Sequence, residues 1–438
     1  MNFGQKLRFV FNKNNPRQSL LNVVYILFLL SLTVKFLTGF FRNRGYSNYD
    51  VSEFLINYQG GFVRRGLMGE ILFFFAKNFN INVELTIKIS CLIFFAVVCV
   101  FFVKSFLKKG YSLYILPLCF FLGMGILSGF WIRRDYLFIC ILISILWIYG
   151  KNQLPTILKY IIINVLCIFM ILSHESFVFF SLPVLFLLIF NQYKSKSVLQ
   201  AIALSLFYLL PSLIAFYFVF TMHGNHETAQ TIWNSWISYL NLDASEKMGR
   251  PLEYLNGTLK GNTMRSLSIN FLTMDGETSS LVVWLATFPI IYYITTNFLL
   301  VFRKNENDFT GRHKSILSAV LIFQLLCLSP LFIITNDYIR LFFYCISSSF
   351  TIFLLVPIET INKLCPIFFI NAIERINKIL ANILPPSKTT LVFLMLFIGI
   401  SPVGYSIQKT IYTTMSYNIL RLLSIPMAII KGSINLPF

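Results

Sequence analysis

The sequence predicts an all-α fold, a polytopic integral membrane bundle of about 11 spanning helices. Of its 438 residues, 57% are hydrophobic and only 12% are charged, and the mean hydropathy is +0.73. A chain of this composition cannot cover itself with a water-soluble surface. Its apolar residues also fall in long runs that short polar turns separate. We therefore expect a single transmembrane domain over residues 1–438.

The first span is predicted at residues 19–40, directly after the basic residues Lys6, Arg8, Lys13 and Arg17. An apolar run of about 20 residues is long enough to cross the hydrocarbon core as a helix. No small-residue cleavage site follows this run. We therefore expect a retained signal anchor whose N-terminus lies in the cytoplasm.

Similar apolar runs divide the rest of the chain. The predicted spans are 19–40, 85–107, 111–131, 136–150, 156–173, 177–191, 198–221, 281–302, 315–334, 341–358 and 389–406. Short turns on the cytoplasmic side are almost purely basic, whereas turns on the other side mix signs. Lys and Arg alone hardly discriminate the two sides, because the positive-inside rule is weak for long loops, and the acidic residues make the difference.

The longer polar regions are predicted to lie outside the bilayer core. Residues 42–84 form an external region with an interfacial stretch at 72–75, and 222–280 form a small external subdomain. Residues 359–388 are expected at the interface. Residues 407–438 fit either an external interfacial helix or a re-entrant one.

Residues 49–70 concentrate polar chemistry, with three carboxylates, the pair Arg64-Arg65 and four glycines. Under the predicted topology they face three further polar turns at the outer ends of spans. The ionisable residues of these four segments are Asp50, Arg64, Arg65, Arg133, Arg134, Asp135, His174, Glu175, Asp337 and Arg340. Because ionisable groups at membrane depth are costly unless they are paired or hydrated, we expect a shared hydrated cavity.

The arginines in these turns are candidate ligands for a lipid phosphate or pyrophosphate. A guanidinium binds phosphate oxygens bidentately and keeps its proton. The phosphate-binding candidates are Arg64, Arg65, Arg133, Arg134 and Arg340. The alternative for each is an anchor whose charge reaches the lipid headgroups.

The carboxylates divide into structural and catalytic candidates. An acid beside an arginine has a lowered pKa and is a poor proton donor, so Asp135 and Asp337 are expected to form structural ion pairs. Asp50 and Glu175 are the candidates for activating an acceptor hydroxyl. His174, next to Glu175, is the third catalytic candidate.

Two glycines and three aromatic residues allow either a functional or a structural interpretation. Gly60 and Gly61 fit a close approach of the backbone to a ligand, or plain turns. Trp233, Trp236 and Tyr239 fit an aromatic platform for a sugar, or interfacial anchors.

The sequence indicates no metal site or cofactor. The run that starts at His174-Glu175 has Val178 where the second histidine of a zinc-protease helix belongs. The eight cysteines show no CxxC spacing, so we expect neither disulfides nor a zinc cage. A divalent metal is left open as an alternative.

These motifs resemble a family of bacterial membrane proteins. The residues that carry the resemblance are an external Asp50, the run Gly60-Gly61-Phe62-Val63-Arg64-Arg65-Gly66-Leu67, Arg134-Asp135, His174-Glu175, and Asp337 with Arg340. The pattern resembles polytopic proteins of capsule and O-antigen clusters, which are similar to repeat-unit polymerases and to the wider GT-C class of membrane glycosyltransferases.

The resemblance implies a GT-C-like bundle in the bacterial cytoplasmic (inner) membrane, with an outward cavity for polyprenyl-linked sugars. It makes Asp50 the acidic residue of the first external loop. It implies that lipid pyrophosphate is bound by Arg64, Arg65, Arg133 and Arg134. The sequence lacks the second acidic pair of metal-dependent GT-C members and the long arginine-rich loop pair of well-known O-antigen polymerases.

The leading functional prediction is a glycosyltransferase or polymerase of surface polysaccharide biosynthesis. It transfers a sugar or oligosaccharide from a polyprenyl-(pyro)phosphate, such as undecaprenyl phosphate, to an acceptor hydroxyl on the external face. Its partners are that donor, a glycan acceptor, membrane lipids and other polysaccharide-assembly proteins. The net charge of +19 is attributed to membrane topology, so no nucleic-acid partner is expected.

Two alternatives belong to other classes. A transporter or flippase for lipid-linked oligosaccharides would carry charges along a path through the bundle. A membrane acyltransferase would use His174 as a base and would need a cytoplasmic acyl donor.

Overall fold

The fold is a helical bundle, seen in a computed structural model. The structure describes residues 16–42, 44–118, 121–222, 224–240, 247–257, 261, 263–264, 280–299, 311–335 and 337–393. Throughout these residues the ordered elements are helices, and no strand occurs among them. The all-α membrane class predicted from composition is thereby confirmed.

Seventeen α-helices occur in the described residues, with three short 3₁₀ segments, 53–55, 113–115 and 254–256. They are α1 (Pro16–Phe41), α2 (Tyr49–Ser52), α3 (Gly66–Phe79), α4 (Val83–Lys109), α5 (Leu122–Ser128), α6 (Asp135–Tyr149), α7 (Thr156–Ser173), α8 (Phe177–Tyr193), α9 (Val198–Thr221), α10 (His226–Leu240), α11 (Arg250–Glu253), α12 (Ser280–Asn297), α13 (Gly311–Ile334), α14 (Tyr338–Leu355), α15 (Ile358–Leu364), α16 (Ile367–Ile383) and α17 (Lys388–Phe393).

Six of these helices are long and apolar enough to cross a membrane: α1, α4, α7, α9, α13 and α14. The helices α6 and α8 are apolar but shorter, and α12 lies where the eighth span is predicted. The chain is therefore a multi-pass membrane protein, and the number of 11 spans stays a prediction. The eleventh predicted span enters the described residues only through α17, and 407–438 lie outside them.

The third predicted span, 111–131, is not one continuous helix. It contains the 3₁₀ turn 113–115 and the short α5, because Pro117 and several glycines interrupt it. A Cβ on Gly123 would overlap the carbonyl of Pro117, so the chain doubles back closely there.

The broken segment nevertheless retraces the length of α4. Tyr111 packs on Phe106, the ring of Phe121 lies 5.0 Å from that of Phe102, and Cys91 of α4 contacts the carbonyl of Arg133. Non-helical backbone is tolerated at membrane depth only where protein covers it. Consistently, the segment's residues Ile115, Leu118, Phe121, Met124, Phe130 and Trp131 are almost fully buried.

Helix α14 is the centre of the bundle. Of its 18 residues, 94% are buried, and the helix packs against α6, α8 and α13. Its first turn carries Arg340. We call the end of the bundle where Arg340 lies with Asp50, Arg133 and Glu175 the polar end.

The predicted external regions meet at the polar end. Helix α3 is only 14 residues long and leaves Phe74, Phe75 and Phe79 exposed, whereas Leu72 and Phe73 are buried. The interfacial position of 72–75 stays a prediction. Helix α10, from the region 222–280, packs on α3.

The tryptophans of α10 belong to the core. Trp236 is fully buried and its indole N–H donates to the carbonyl of Leu55 at 2.7 Å. Trp233 is 6% exposed, and Tyr239 packs edge-on against Phe73. The two tryptophans therefore form neither a sugar platform nor interfacial anchors, because both are buried and the ring of Trp236 holds α10 to the 42–84 region.

The opposite end of the bundle carries lysines that lie over aromatic rings. Lys151 lies 4.3 Å from the ring centroid of Trp147, and Lys196 lies 5.6 Å from that of Tyr193. Amphipathic aromatic and lysine side chains are typical of the membrane interface. The segment predicted at 359–388 forms α15 and α16, and α16 exposes Ile367, Phe368 and Ile379.

Candidate functional site

The polar end gathers the ionic residues of all four predicted segments. Five arginines and five carboxylates form what we call the ion cluster: Arg44, Arg65, Arg133, Arg134, Arg340, Asp50, Glu53, Asp135, Glu175 and Asp337. Eight of these ten residues are predicted from sequence, and Arg44 and Glu53 are additions.

Asp50 pairs with Arg44 and Arg133, and not with Arg64 or Arg65, the arginines of its own segment. Its Oδ2 contacts Nη1 of Arg44, and its Oδ1 accepts from Nε of Arg133 at 2.7 Å. Arg133 also lies over the ring of Tyr49, 4.6 Å from the centroid. Because both carboxylate oxygens are engaged, Asp50 is better placed to orient Arg133 than to accept a proton.

The pairing continues from Arg133 into α14. Asp337 accepts from Nη1 of Arg133 and from Nη1 of Arg340, each at 3.3 Å. Arg340 Nε donates to Asp135 Oδ1 at 2.8 Å, and the hydroxyl of Tyr344 donates to the same oxygen. Asp337 thus pairs with Arg340, whereas Asp135 pairs with Arg340 rather than with the adjacent Arg134. The two pairs join the starts of α6 and α14.

Arg134 is a structural tie rather than an open anion site. Its Nη1 donates to the carbonyls of Arg65, at 3.1 Å, and Ser173, and its Nη2 donates to the carbonyl of Glu53. The guanidinium lies 5.1 Å from the ring centroid of Phe54, and the residue is 1% exposed. This geometry leaves no open face for a lipid phosphate, contrary to the role predicted for Arg134.

Arg65 and Glu175 form a bidentate ion pair. Arg65 Nε lies 2.9 Å from Oε2, and Nη2 lies 2.5 Å from Oε1. Burial favours the neutral form of each group, but the pairing outweighs it, so the pKa of Arg65 is raised and that of Glu175 lies well below its ordinary value. The two side chains are 23% and 18% exposed, so solvent reaches this pair.

Arg65 also has an unusual backbone. Its φ of 66° lies in the left-handed region, which non-glycine residues seldom adopt. The strain costs on the order of 1–3 kcal/mol unless the surroundings hold it. The bond from Arg134 to the Arg65 carbonyl provides such a hold, and α3 begins at the next residue.

Like Arg134, Arg64 forms no ion pair with a carboxylate among the described residues, but it is more exposed than Arg134. Its Nη2 donates to the carbonyl of Tyr254 at 3.2 Å, and the residue is half-buried. Burial and the neighbouring Arg65 lower its pKa, although a guanidinium stays protonated. Arg64 thus combines partial exposure with the absence of a carboxylate ion pair among the described residues.

His174 is held as a neutral ring. Its Nδ1 lies 3.2 Å from the backbone N of Ser176, and a backbone N–H can only donate, so the ring proton resides on Nε2. Burial, followed by the charge of Arg65, holds the pKa of His174 well below its usual range. A neutral ring whose Nδ1 already accepts a bond is poorly suited to act as a base.

Glu53 is the residue that the sequence interpretation missed. It is 1% exposed, and neither carboxylate oxygen accepts a hydrogen bond from any described residue. Its Oε1 lies 3.9 Å from both Arg340 Nη2 and His174 Nε2. Burial alone would raise its pKa, but the neighbouring guanidiniums, Arg340 first, outweigh burial and lower the pKa to about 2. The sequence offers one indication of its importance, because Glu53 is one of only three carboxylates in the polar stretch 49–70.

Gly60 and Gly61 shape the loop before the arginine pair. A Cβ on Gly60 would lie 2.7 Å from the carbonyl oxygen of Thr228, so this residue lets the loop approach α10 closely. Gly61 has a φ of 105°, which requires glycine. In this structure both glycines therefore serve the turn.

The described residues contain no group of three or more His, Cys, Asp or Glu side chains that could hold a metal ion. The carboxylates of the ion cluster pair with arginines instead. The chemistry open to this arrangement is the binding of an anion beside Arg64 and Arg65.

Fold and site together define the class: an all-α, multi-pass membrane protein with paired ions at one end of its bundle. No protein family, curated protein or solved structure matches this chain.

Proposed function

We propose that the protein is a glycosyltransferase of surface polysaccharide synthesis that takes its donor from a polyprenyl-(pyro)phosphate on the external face of the bacterial cytoplasmic membrane. The proposal rests on Arg64. This guanidinium has no carboxylate partner in the described part of the chain, it adjoins the solvent-accessible pair of Arg65 and Glu175, and guanidiniums bind phosphate oxygens strongly.

The apolar face of α3 supports a lipid-borne phosphate over a soluble one. The helix begins at Gly66, directly after the arginine pair, and exposes Ile71, Phe74, Phe75 and Phe79. A polyprenyl chain along this face would bring its phosphate to Arg64 and Arg65.

The reaction would be a displacement at the anomeric carbon of the donor sugar. An acceptor oxygen forms a bond to that carbon, the bond to the phosphate oxygen breaks, and its electron pair leaves with the phosphate. Arg64 and Arg65 stabilise the charge that develops on the leaving group. Glu175 is the carboxylate nearest to them and would take the acceptor's proton, while Asp50 positions Arg133.

The two alternatives find less support. A flippase needs charges along a path through the membrane, whereas Asp135 and Arg340 lie in the first turns of α6 and α14. An acyltransferase with His174 as base needs a free ring nitrogen without a proton, and Nδ1 already accepts from Ser176.

The test replaces Arg64→Gln in a bacterial strain that lacks its own copy of the gene. We expect long-chain surface polysaccharide to fall at least tenfold while immunoblots show unchanged protein. Arg64→Lys should restore only part of it, because an ammonium cannot bind bidentately. Arg250→Gln removes an exposed arginine of the same region and should leave the polysaccharide unchanged. Normal polysaccharide in the Arg64→Gln strain would refute the proposal.

A further inference from the structure

The bidentate edge of Arg65 is occupied, although this is the edge that a phosphate would use. Its Nε and Nη2 both bind Glu175. A planar guanidinium presents the same two parallel donors to a carboxylate and to a phosphate, so both ligands compete for one edge. The neighbouring Arg64, by contrast, donates a hydrogen bond to a backbone carbonyl and forms no ion pair with a carboxylate among the described residues.

A phosphate held by Arg64 would also lie close to the charge of Glu175. Glu175 interacts electrostatically with both arginines, so a dianion placed between them would repel this carboxylate. The Glu175 side chain can leave Arg65 because the pair is partly exposed. Glu175 also lies in the short break between α7, which ends at Ser173, and α8, which begins at Phe177. Neither α7 nor α8 has to move for the side chain to turn away.

We infer that Glu175 occupies the donor's place in the ligand-free protein, and that binding of a polyprenyl phosphate exchanges Glu175 for the phosphate on Arg65. This inference rests on the proposed function, since it takes the same phosphate site as given. The exchange only swaps ion pairs: the guanidinium keeps its charge and no proton moves.

The exchange has a consequence for the chemistry. While Arg65 holds Glu175, the carboxylate is a very weak base. Once the phosphate has taken its place, Glu175 loses its strongest cationic partner and becomes a better proton acceptor. The carboxylate would thus be activated only when the donor is in position, which protects the site from transfer without substrate.

The test measures binding of polyprenyl phosphate to the purified full-length protein in phosphatidylcholine nanodiscs, with the polyprenol of equal length as the uncharged reference. Glu175→Gln removes the competitor, and we expect it to bind polyprenyl phosphate at least tenfold more tightly than the unsubstituted protein. The matched control is Glu70→Gln. Glu70 lies at the same end but binds the backbone N of Tyr58 and the side chain of Gln59 rather than an arginine, so affinity should change less than twofold.

Equal affinities of the Glu175→Gln and Glu70→Gln proteins would overturn the exchange while leaving the phosphate site intact. No preference for polyprenyl phosphate over polyprenol in any of these proteins would instead overturn the proposed function, and the exchange with it.

A second measurement needs no substitution. If Glu175 is released on binding, the backbone amides of residues 174–176, which form the break between α7 and α8, should exchange hydrogen faster when polyprenyl phosphate is bound than when polyprenol is added. Slower or unchanged exchange there, at a ligand concentration that saturates the protein, would refute the inference even if Glu175→Gln failed to fold.

Discussion

Arg134 ties three segments together through their carbonyl groups. The carbonyls of Glu53, Arg65 and Ser173 come from the 49–70 region, the start of α3 and the end of α7. Each of these carbonyls accepts a hydrogen bond from the buried guanidinium, and unpaired buried carbonyls are costly. One guanidinium thus connects three points of the chain.

We predict that Arg134→Gln destabilises the protein strongly. The change leaves buried carbonyls without a donor, at about 1–3 kcal/mol for each carbonyl that stays unpaired, so the thermal unfolding midpoint should fall by several degrees. The matched change Arg64→Gln removes a half-buried guanidinium with one carbonyl partner and should shift the midpoint little. The measurement is thermal unfolding of the purified proteins in one detergent. Equal shifts for the two variants would show that the bonds from Arg134 to the three carbonyls contribute little to stability.

The sequence interpretation could find these arginines but could not tell them apart. Arg133 and Arg134 are neighbours with identical chemistry, yet one pairs with Asp50 and Asp337 and the other with carbonyls. Which partner each reaches depends on how the 49–70 region folds over α6 and α7. The same applies to Glu53, because its proximity to Arg340 depends on how α14 packs beside the 49–70 region.

Asn164 repairs a break in α9. Pro211 interrupts that helix, and a proline disturbs the neighbouring helical hydrogen bonds. Asn164 of α7 fills the gap: its Nδ2 donates to the carbonyl of Tyr208 at 2.7 Å, and its Oδ1 accepts from the backbone N and the hydroxyl of Ser212. A side chain from one spanning helix thus completes the hydrogen bonding of another.

We predict that Asn164→Leu destabilises the pair α7 and α9, because it leaves the Tyr208 carbonyl and the Ser212 N–H unpaired in an apolar environment. The cost should be about 1–3 kcal/mol. Combining it with Pro211→Ala should recover much of the loss, since α9 can then close its own bonds. A double-mutant cycle on unfolding free energies measures this coupling; strictly additive effects would contradict the account.

Helix boundaries were predictable wherever an apolar run is uninterrupted. Residues 156–173 and 198–221 match α7 and α9 at both ends, because a polar or basic turn bounds each run. Residues 111–131 are equally apolar, but hydropathy does not record that Pro117 and the glycines prevent a continuous helix. Hydropathy thus identifies a segment that crosses the membrane, but it does not predict whether the backbone of that segment is a continuous helix.

At the scale of the whole molecule, charge predicts which end faces the cytoplasm. The end opposite the polar end carries lysines on aromatic rings, including Lys151 and Lys196, and basic residues favour the cytoplasmic side. The polar end would then face outward.

We predict that a membrane-impermeant thiol reagent labels Gln59→Cys in intact cells and labels Lys196→Cys only after permeabilisation. Both positions are exposed, at opposite ends of the bundle. The unsubstituted protein is the control, since its described cysteines are buried or half-buried. The reverse labelling pattern would place the ion cluster on the cytoplasmic side and remove the basis for an external reaction.

The broken segment 111–131 constrains how the protein can be made. Its described residues do not form a continuous helix, and non-helical backbone is not tolerated against lipid. Much of what covers them, such as Phe350 against Phe121 and Phe343 against Phe130, belongs to α14 and is translated far later. During biosynthesis the nascent chain must therefore shelter this stretch at the insertion machinery until α14 emerges. A chain that terminates before α14 should be handed to quality-control proteases instead of maturing as a smaller bundle.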